Sequence, residues 1–212
     1  MTRGLEIIVV GAGGHAKVVI SALRASGWEV QAICDDDETK WNQTIDGVPI
    51  VGGTEKLAND DGSPAVIAVG DPYFRRTIAD RYERDWATVI HPRAFVDPSV
   101  VIGAGTVIFA GAVIQAHVRI GSHAIINTSS SVDHDCIISD YAHVAPGAHL
   151  AANVRLETGA FVGTGSQVIP KIRVGEFSVV GAGATVIADV PPGVTTVGCP
   201  ARVVKNNRQL SL

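Results

Sequence analysis

From residue 5 to about residue 85 the chain alternates short apolar runs with amphipathic stretches. LEIIVV (5–10) is apolar, β-branched and stopped by glycine, which predicts a buried strand. HAKVVISALRAS (15–26) places Val18, Leu23 and their neighbours at helical spacing and ends at Gly27, which predicts a helix with a glycine at its C-terminal cap. WEVQAICDD (28–36) reads as a second strand with Asp35, Asp36 and Asp37 at its carboxyl end. PAVIAVGD (64–71) reads as a third strand, and PYFRRTIADRYE (72–83) as a helix opened by proline. This order, with short glycine turns, predicts a small parallel α/β sheet: a Rossmann-like half domain over residues 1–88.

Residues 89–212 obey a different rule. Counting every sixth residue from Ile90 to Val186 meets an aliphatic side chain at all seventeen positions. Four residues beyond each stands a small or β-branched residue, from Ala94 to Val190. Glycine often follows the aliphatic position, as in Ile102-Gly103, Val162-Gly163 and Val180-Gly181. A hexapeptide period predicts a parallel β-helix in which each unit is one short strand plus a corner and each aliphatic residue points into a shared interior. Three hexads make a triangular coil, so about five coils stack at roughly 4.8 Å each.

Composition narrows the function. Of 212 residues, 46% are hydrophobic and 18% charged, which excludes disorder as the main state. The 17 basic and 21 acidic residues leave a charge of -4, so no global positive field attracts nucleic acid. Cys34, Cys136 and Cys199 are odd in number and widely separated, and match neither a zinc pair nor a disulfide framework; a reducing cytoplasm and no metal are expected. No stretch approaches the roughly 18 apolar residues of a membrane span, so no membrane insertion is expected.

A rigid spacer would carry unremarkable outward residues, yet NTSSSVDHDCIISDYAHVAPGAH (127–149) holds three histidines and three aspartates. His134 and His143 are nine residues apart, half a coil out of step, and would meet only across a subunit boundary. In the first half, GAGGHA (11–16) nearly fits the dinucleotide fingerprint, with Gly11, Gly13 and Gly14 opening backbone N–H groups to an anion. An α/β region of only about 85 residues is too short for two mononucleotide halves and suits one nucleotide.

GAGGHAKV (11–18), the aspartate pair Asp35 and Asp36, the hexapeptide array and NTSSSVDHDCIISDYAHVAPGA (127–148) together resemble the bacterial nucleotide-sugar acetyltransferases, including the sialic acid O-acetyltransferases. The resemblance covers essentially the whole chain. It implies a homotrimer, a left-handed β-helix against the usual right-handed crossover rule, an N-terminal domain that binds a UDP- or GDP-linked amino sugar, and acetyl-CoA between adjacent β-helices. Acetyl transfer to an amine needs a base near neutral pH, and histidine is the default. The resemblance assigns that role to His134, supported by Asp135 with Asp133 as the alternative, and sets Asn127 near the reacting centre, where an inward asparagine ladder is an equal reading. It sets His143 at the thioester.

Gly13, Gly14, His15, Asp35 and Asp36 carry over as the nucleotide-sugar site, with Gly70 and Asp71 added from the same sheet edge. GCPARVVK (198–205) looks like the closing segment of hexapeptide acyltransferases, which adds Arg202, with Lys171, Arg173 and Lys205, as candidates for CoA phosphates. Gly163, Gly181 and Ala182 are expected to offer N–H groups to the pantetheine amides. Asp37 and Trp41 depart from the family pattern where base and ribose would bind, leaving UDP and GDP open. O-acetylation of a sialic acid-type sugar and a non-catalytic nucleotide-binding scaffold are the competing readings. His117, His134 and His143 do not reproduce the zinc arrangement of a β-helical carbonic anhydrase.

Overall fold

The computed structural model describes residues 5–59 and 62–206. The chain divides into two compact units between Pro92 and Arg93. In the first unit β1 (Leu5–Val10), α1 (Gly14–Ala25), β2 (Trp28–Cys34), β3 (Thr44–Ile45), β4 (Val48–Gly52), β5 (Ala65–Ile67) and α2 (Pro72–Arg81) follow in order. The sheet runs β3-β4-β2-β1-β5, parallel except for the β3–β4 hairpin. Ile8 and Val10 of β1 pack with Cys34, Leu57 and Ile67 on the face that also meets Ile78 of α2. By strand alternation Ile7 and Val9 point to the opposite face.

Two details differ from the sequence reading. Val18 is 42% exposed, while Ala16, Val19, Ile20, Ala22 and Leu23 form the buried stripe of α1. A run of apolar residues in the helix hid which of two adjacent valines faces the sheet. β4 was absent from the expected strands because VPIVG carries a proline and is short, yet it pairs parallel to β2 and extends the sheet.

The second unit is a left-handed parallel β-helix. Two-residue strands pair in register with strands eighteen residues on, as in Val113↔Ser131, Arg119↔Ile137 and Ile125↔His143. Ile114, Ile126, Val132, Ile138, Val144, Leu156 and Val162 fill the interior, each at most 1% exposed. The small residues four positions on complete it. Where these are hydroxyls, Thr106, Ser130, Ser166 and Ser178 each donate to a corner carbonyl, so the interior carries no unsatisfied cost there. Val96 and Ile102 are only partly buried and Ile90 is 39% exposed, so the earliest hexads form an incomplete layer.

The corners share one backbone solution. Every sixth residue from Gly105 to Gly183 has a positive φ, including the non-glycines His117, His123, Ser129, Asp135, Tyr141, Asn153, Lys171 and Phe177. A two-residue turn whose second residue is left-handed bends the chain sharply enough to start the next face. Each non-glycine there costs about 1 kcal/mol, which the coil-to-coil ladder must offset. The three corners differ in chemistry: one runs Gly111, Ser129, Gly147, Gly165, Gly183; another His117, Asp135, Asn153, Lys171. The third stacks His123 on Tyr141, rings 5.4 Å apart.

Candidate functional site

In the α/β unit the glycine-rich turn links β1 to α1. Gly11 has φ +107, and a Cβ there would come within 2.8 Å of the Val69 side chain, so only glycine fits. Gly13 is the N-cap of α1 without a side-chain cap, leaving first-turn N–H groups to water or an anion. Asp35, at the end of β2, accepts the Ala12 N–H at 2.6 Å and is paired with Lys40 at 3.2 Å. Asp36 accepts the Thr54 N–H at 2.7 Å. The Trp41 indole donates to the Asp35 carbonyl at 2.7 Å. Asp71 caps α2 by accepting the N–H groups of Tyr73 and Phe74. Around them lies a crevice of about 200 Å3 lined by Val10, Gly11, Asp35, Asp36, Thr54, Val69, Phe74 and Ile78.

His15 stands at the start of α1, and its pKa is held down to about 4, first by burial and then by the Arg75 charge. Asp35, Asp36 and Asp71 therefore all hold the backbone of this unit together, whatever else they touch. Thr54 and Phe74 line the crevice without having been singled out from the sequence, where no motif or period marks them.

In the β-helix His134 and Asp135 form the two central residues of one corner. His134 Nδ1 lies 2.7 Å from Asp135 Oδ2, and the His134 N–H donates to Asp133 Oδ1 at 2.7 Å. A carboxylate only accepts, so Nδ1 carries the proton and Nε2 keeps a lone pair. The ring is 52% exposed. Its pKa is raised, chiefly by the Asp135 hydrogen bond, which outweighs desolvation, with the charges of Asp133 and Asp135 adding to the rise. Along the chain's corner column its neighbours one coil away are Ala116 and Ala152, linked through the Asp135 N–H to Ala116 and the Asn153 N–H to His134. Small neighbours leave the imidazole standing clear.

Asn127 and His143 form a second pair. The Asn127 carbonyl oxygen accepts the Thr128 N–H at 2.8 Å, which orients its NH2 toward His143 Nε2 at 3.1 Å. His143 is 8% exposed and meets the Phe161 ring edge-on at 5.1 Å. Asn127 heads no asparagine ladder, because Ala145 and Gly163 hold the equivalent positions in the next coils, but its side-chain oxygen does satisfy a backbone donor.

The expectation for the late glycines is corrected in part. The Gly163 N–H donates to Val180 at 2.8 Å and the Gly181 N–H to Thr196 at 2.7 Å, so coil stacking already uses both donors. Ala182 follows Gly181 at the first corner position. Arg202 is exposed at the start of the last strand (Arg202–Asn206) and donates to the neighbouring Ala201 carbonyl, and Arg173 is paired with Glu157 at 2.8 Å. Cys136 is buried, donates to the Ala151 carbonyl, and its thiol is pushed up to about 11 by burial. It is a packing residue. On the face that carries Asp133, a groove of about 330 Å3 runs past Gln115, Ser131, His149 and Gln167. Among the described residues no group of three His, Cys, Asp or Glu could hold a metal ion, and no helix is long and apolar enough to cross a membrane.

Residues 6–82 match the PglD N-terminal domain family. The whole fold superposes on perosamine N-acetyltransferase from Caulobacter crescentus in complex with CoA and GDP-perosamine, with TM-score 0.89 and 38% identity over 94% of this chain and 96% of that one. The acetyltransferase domain of PglB from Neisseria gonorrhoeae, in complex with acetyl coenzyme A, gives TM-score 0.89 and 35% identity over 95% and 100%. UDP-N-acetylbacillosamine N-acetyltransferase of Bacillus subtilis is 42% identical over 109 residues, 47% of this chain and 49% of that enzyme. An uncharacterized protein of Acanthamoeba polyphaga mimivirus matches over 20% of its length, so this chain spans half or less of these two curated relatives. With more than 90% of both chains aligned at well over 30% identity in two solved relatives, this chain belongs to the nucleotide-sugar N-acetyltransferase family.

Proposed function

We propose that the protein transfers acetyl from acetyl-CoA to the amino group, at C4, of a UDP- or GDP-linked deoxy-amino sugar. The observation that carries this reading is the His134–Asp135 pair: an exposed imidazole whose Nδ1 is tied to a carboxylate 2.7 Å away and whose Nε2 is left to accept a proton. Family membership supplies the two substrates, since its solved members bind CoA, acetyl coenzyme A and GDP-perosamine.

The sugar amine attacks the thioester carbonyl directly. His134 Nε2 takes the proton as the C–N bond forms, Asp135 stabilises the imidazolium, and CoA leaves as a thiolate that the imidazolium reprotonates. Cys136, with its thiol raised to about 11 and its sulfur turned inward, forms no acyl-enzyme. Asn127 and His143 hold the acetyl-CoA end, and Ala182 and Arg202 lie along its tail. The glycine-rich turn with Gly13, Gly14 and His15, the aspartates Asp35 and Asp36, and the Gly70–Asp71 end form the nucleotide-sugar site. The working assembly is a homotrimer.

Free-thiol release from acetyl-CoA against a panel of UDP- and GDP-linked 4-amino sugars tests the reading, with wild type and His134→Ala. Release with one amino sugar, lost in the variant, is expected. Release with free sialic acid alone would replace it by O-acetylation, and no release with any acceptor would replace it by a scaffold.

A further inference from the structure

α2 turns an arginine inward. Arg75 is 1% exposed and is the bulkiest fully buried side chain among the described residues. Its Nη1 donates to the carbonyls of Val69 at 3.0 Å and Gly70 at 2.6 Å. Those carbonyls belong to the segment after β5, and the same Val69 presses its side chain against Gly11 of the glycine-rich turn. Arg75 thus fixes the wall against which that turn is built. It also acts on His15 in the turn itself, where burial and then the guanidinium charge hold the imidazole at about 4.

The consequence is a division of labour. At neutral pH His15 is uncharged, so it meets a ligand as a hydrogen-bonding group and not as a cation. Asp35 accepts the Ala12 N–H and pairs with Lys40, and Asp71 accepts the N–H groups of Tyr73 and Phe74. A buried positive charge in a low-dielectric setting acts more strongly at a distance than an exposed lysine, which water and salt screen. The base is neutral and an amino sugar is neutral or cationic; the diphosphate is the anionic part of a nucleotide sugar.

We infer that Arg75 is a positioning residue for the diphosphate: it acts through His15 and the Val69–Gly70 carbonyls without touching substrate, and lends the glycine-rich turn a fixed positive charge. The inference rests on the nucleotide-sugar reading above and adds a residue that no sequence motif marked.

The test pairs two readouts on the full-length protein, in wild type, Arg75→Met and Arg75→Lys. The first is affinity for UDP and GDP beside the phosphate-free uridine and guanosine; the second is the His15 titration midpoint by NMR. In Arg75→Met the diphosphates are expected to weaken about tenfold while the nucleosides hold, and the His15 midpoint to climb from about 4 toward its ordinary value of 6.5. Arg75→Lys, which keeps the charge, should retain more of the diphosphate affinity and a lower midpoint than Arg75→Met; if circular dichroism shows Arg75→Met unfolded, Arg75→Gln takes its place as the charge-removing variant. Equal loss for nucleosides and diphosphates, or a His15 midpoint unmoved in the charge-removing variant, overturns the inference. A wild type that binds neither UDP nor GDP overturns the nucleotide-sugar reading instead, and is recognised as such before any variant is compared.

Discussion

Asp36 and Asp135 are both aspartates at a chain reversal, and they spend their carboxylates differently. Asp36, in the α/β unit, accepts the backbone N–H of Thr54. Its neighbours Asp35 and Asp71 likewise accept the N–H groups of Ala12, Tyr73 and Phe74. Asp135, in the β-helix, accepts from a side chain, the imidazole of His134. The loops of the α/β unit are irregular, so their backbone donors need side-chain partners. In the β-helix most backbone donors are met coil to coil, as when the Asp135 N–H reaches Ala116. A side chain released from that duty is available for chemistry. Irregular loops must be held by side chains, whereas a repeat can carry a side-chain pair on a corner it would have built anyway.

The strongest way to break this comparison is at the corner itself. His134→Ala should lower thiol release about a thousandfold, the range expected for one general base, while leaving the urea unfolding midpoint near that of wild type because the corner's backbone bonds remain. A large loss of stability would show that the pair is structural. Leu156→Ala probes the opposite property: Leu156 is 0% exposed inside the stack, and its truncation should cost about 3 kcal/mol in urea unfolding.

Asp135→Asn keeps a side chain that tolerates the left-handed conformation, φ +59 here, while removing the charge. Asp135 raises the His134 pKa, so without it the rising limb of kcat/KM should move to lower pH. The plateau should fall about tenfold, because the base is weaker. A limb that stays in place would show that Asp135 does not tune His134. The smallest effect belongs to the bare corner: Gly147 has φ +64 and open space where a Cβ would stand, so Gly147→Ala should cost about 1 kcal/mol through backbone strain alone. A neutral result would mean that the ladder imposes the corner without measurable strain.

The β-helix was legible almost residue by residue, because a six-residue period of aliphatic side chains has few other physical meanings. Where the reading slipped, a uniform pattern had hidden a difference. Val18 and Val19 are alike in sequence, but only Val19 faces the sheet. Gly163 and Gly181 looked like open donors, yet their N–H groups belong to the next coil. Val48–Gly52 is a strand because β2 offers it an edge, which no local pattern announces.

Periodicity and motif, both local in the chain, determined the two architectures, the glycine-rich turn and the His134–Asp135 pair. What tertiary structure decided depends on groups far apart in sequence. It brought Arg75 from α2 against Val69, Gly70 and His15, bound Asn127 to His143 across sixteen residues, and assigned Asp35 and Asp36 to backbone donors. Hydrophobic spacing records which face a residue takes. Which partner waits on that face is settled only when distant segments pack, and there burial and neighbouring charge set what a histidine or an aspartate can do.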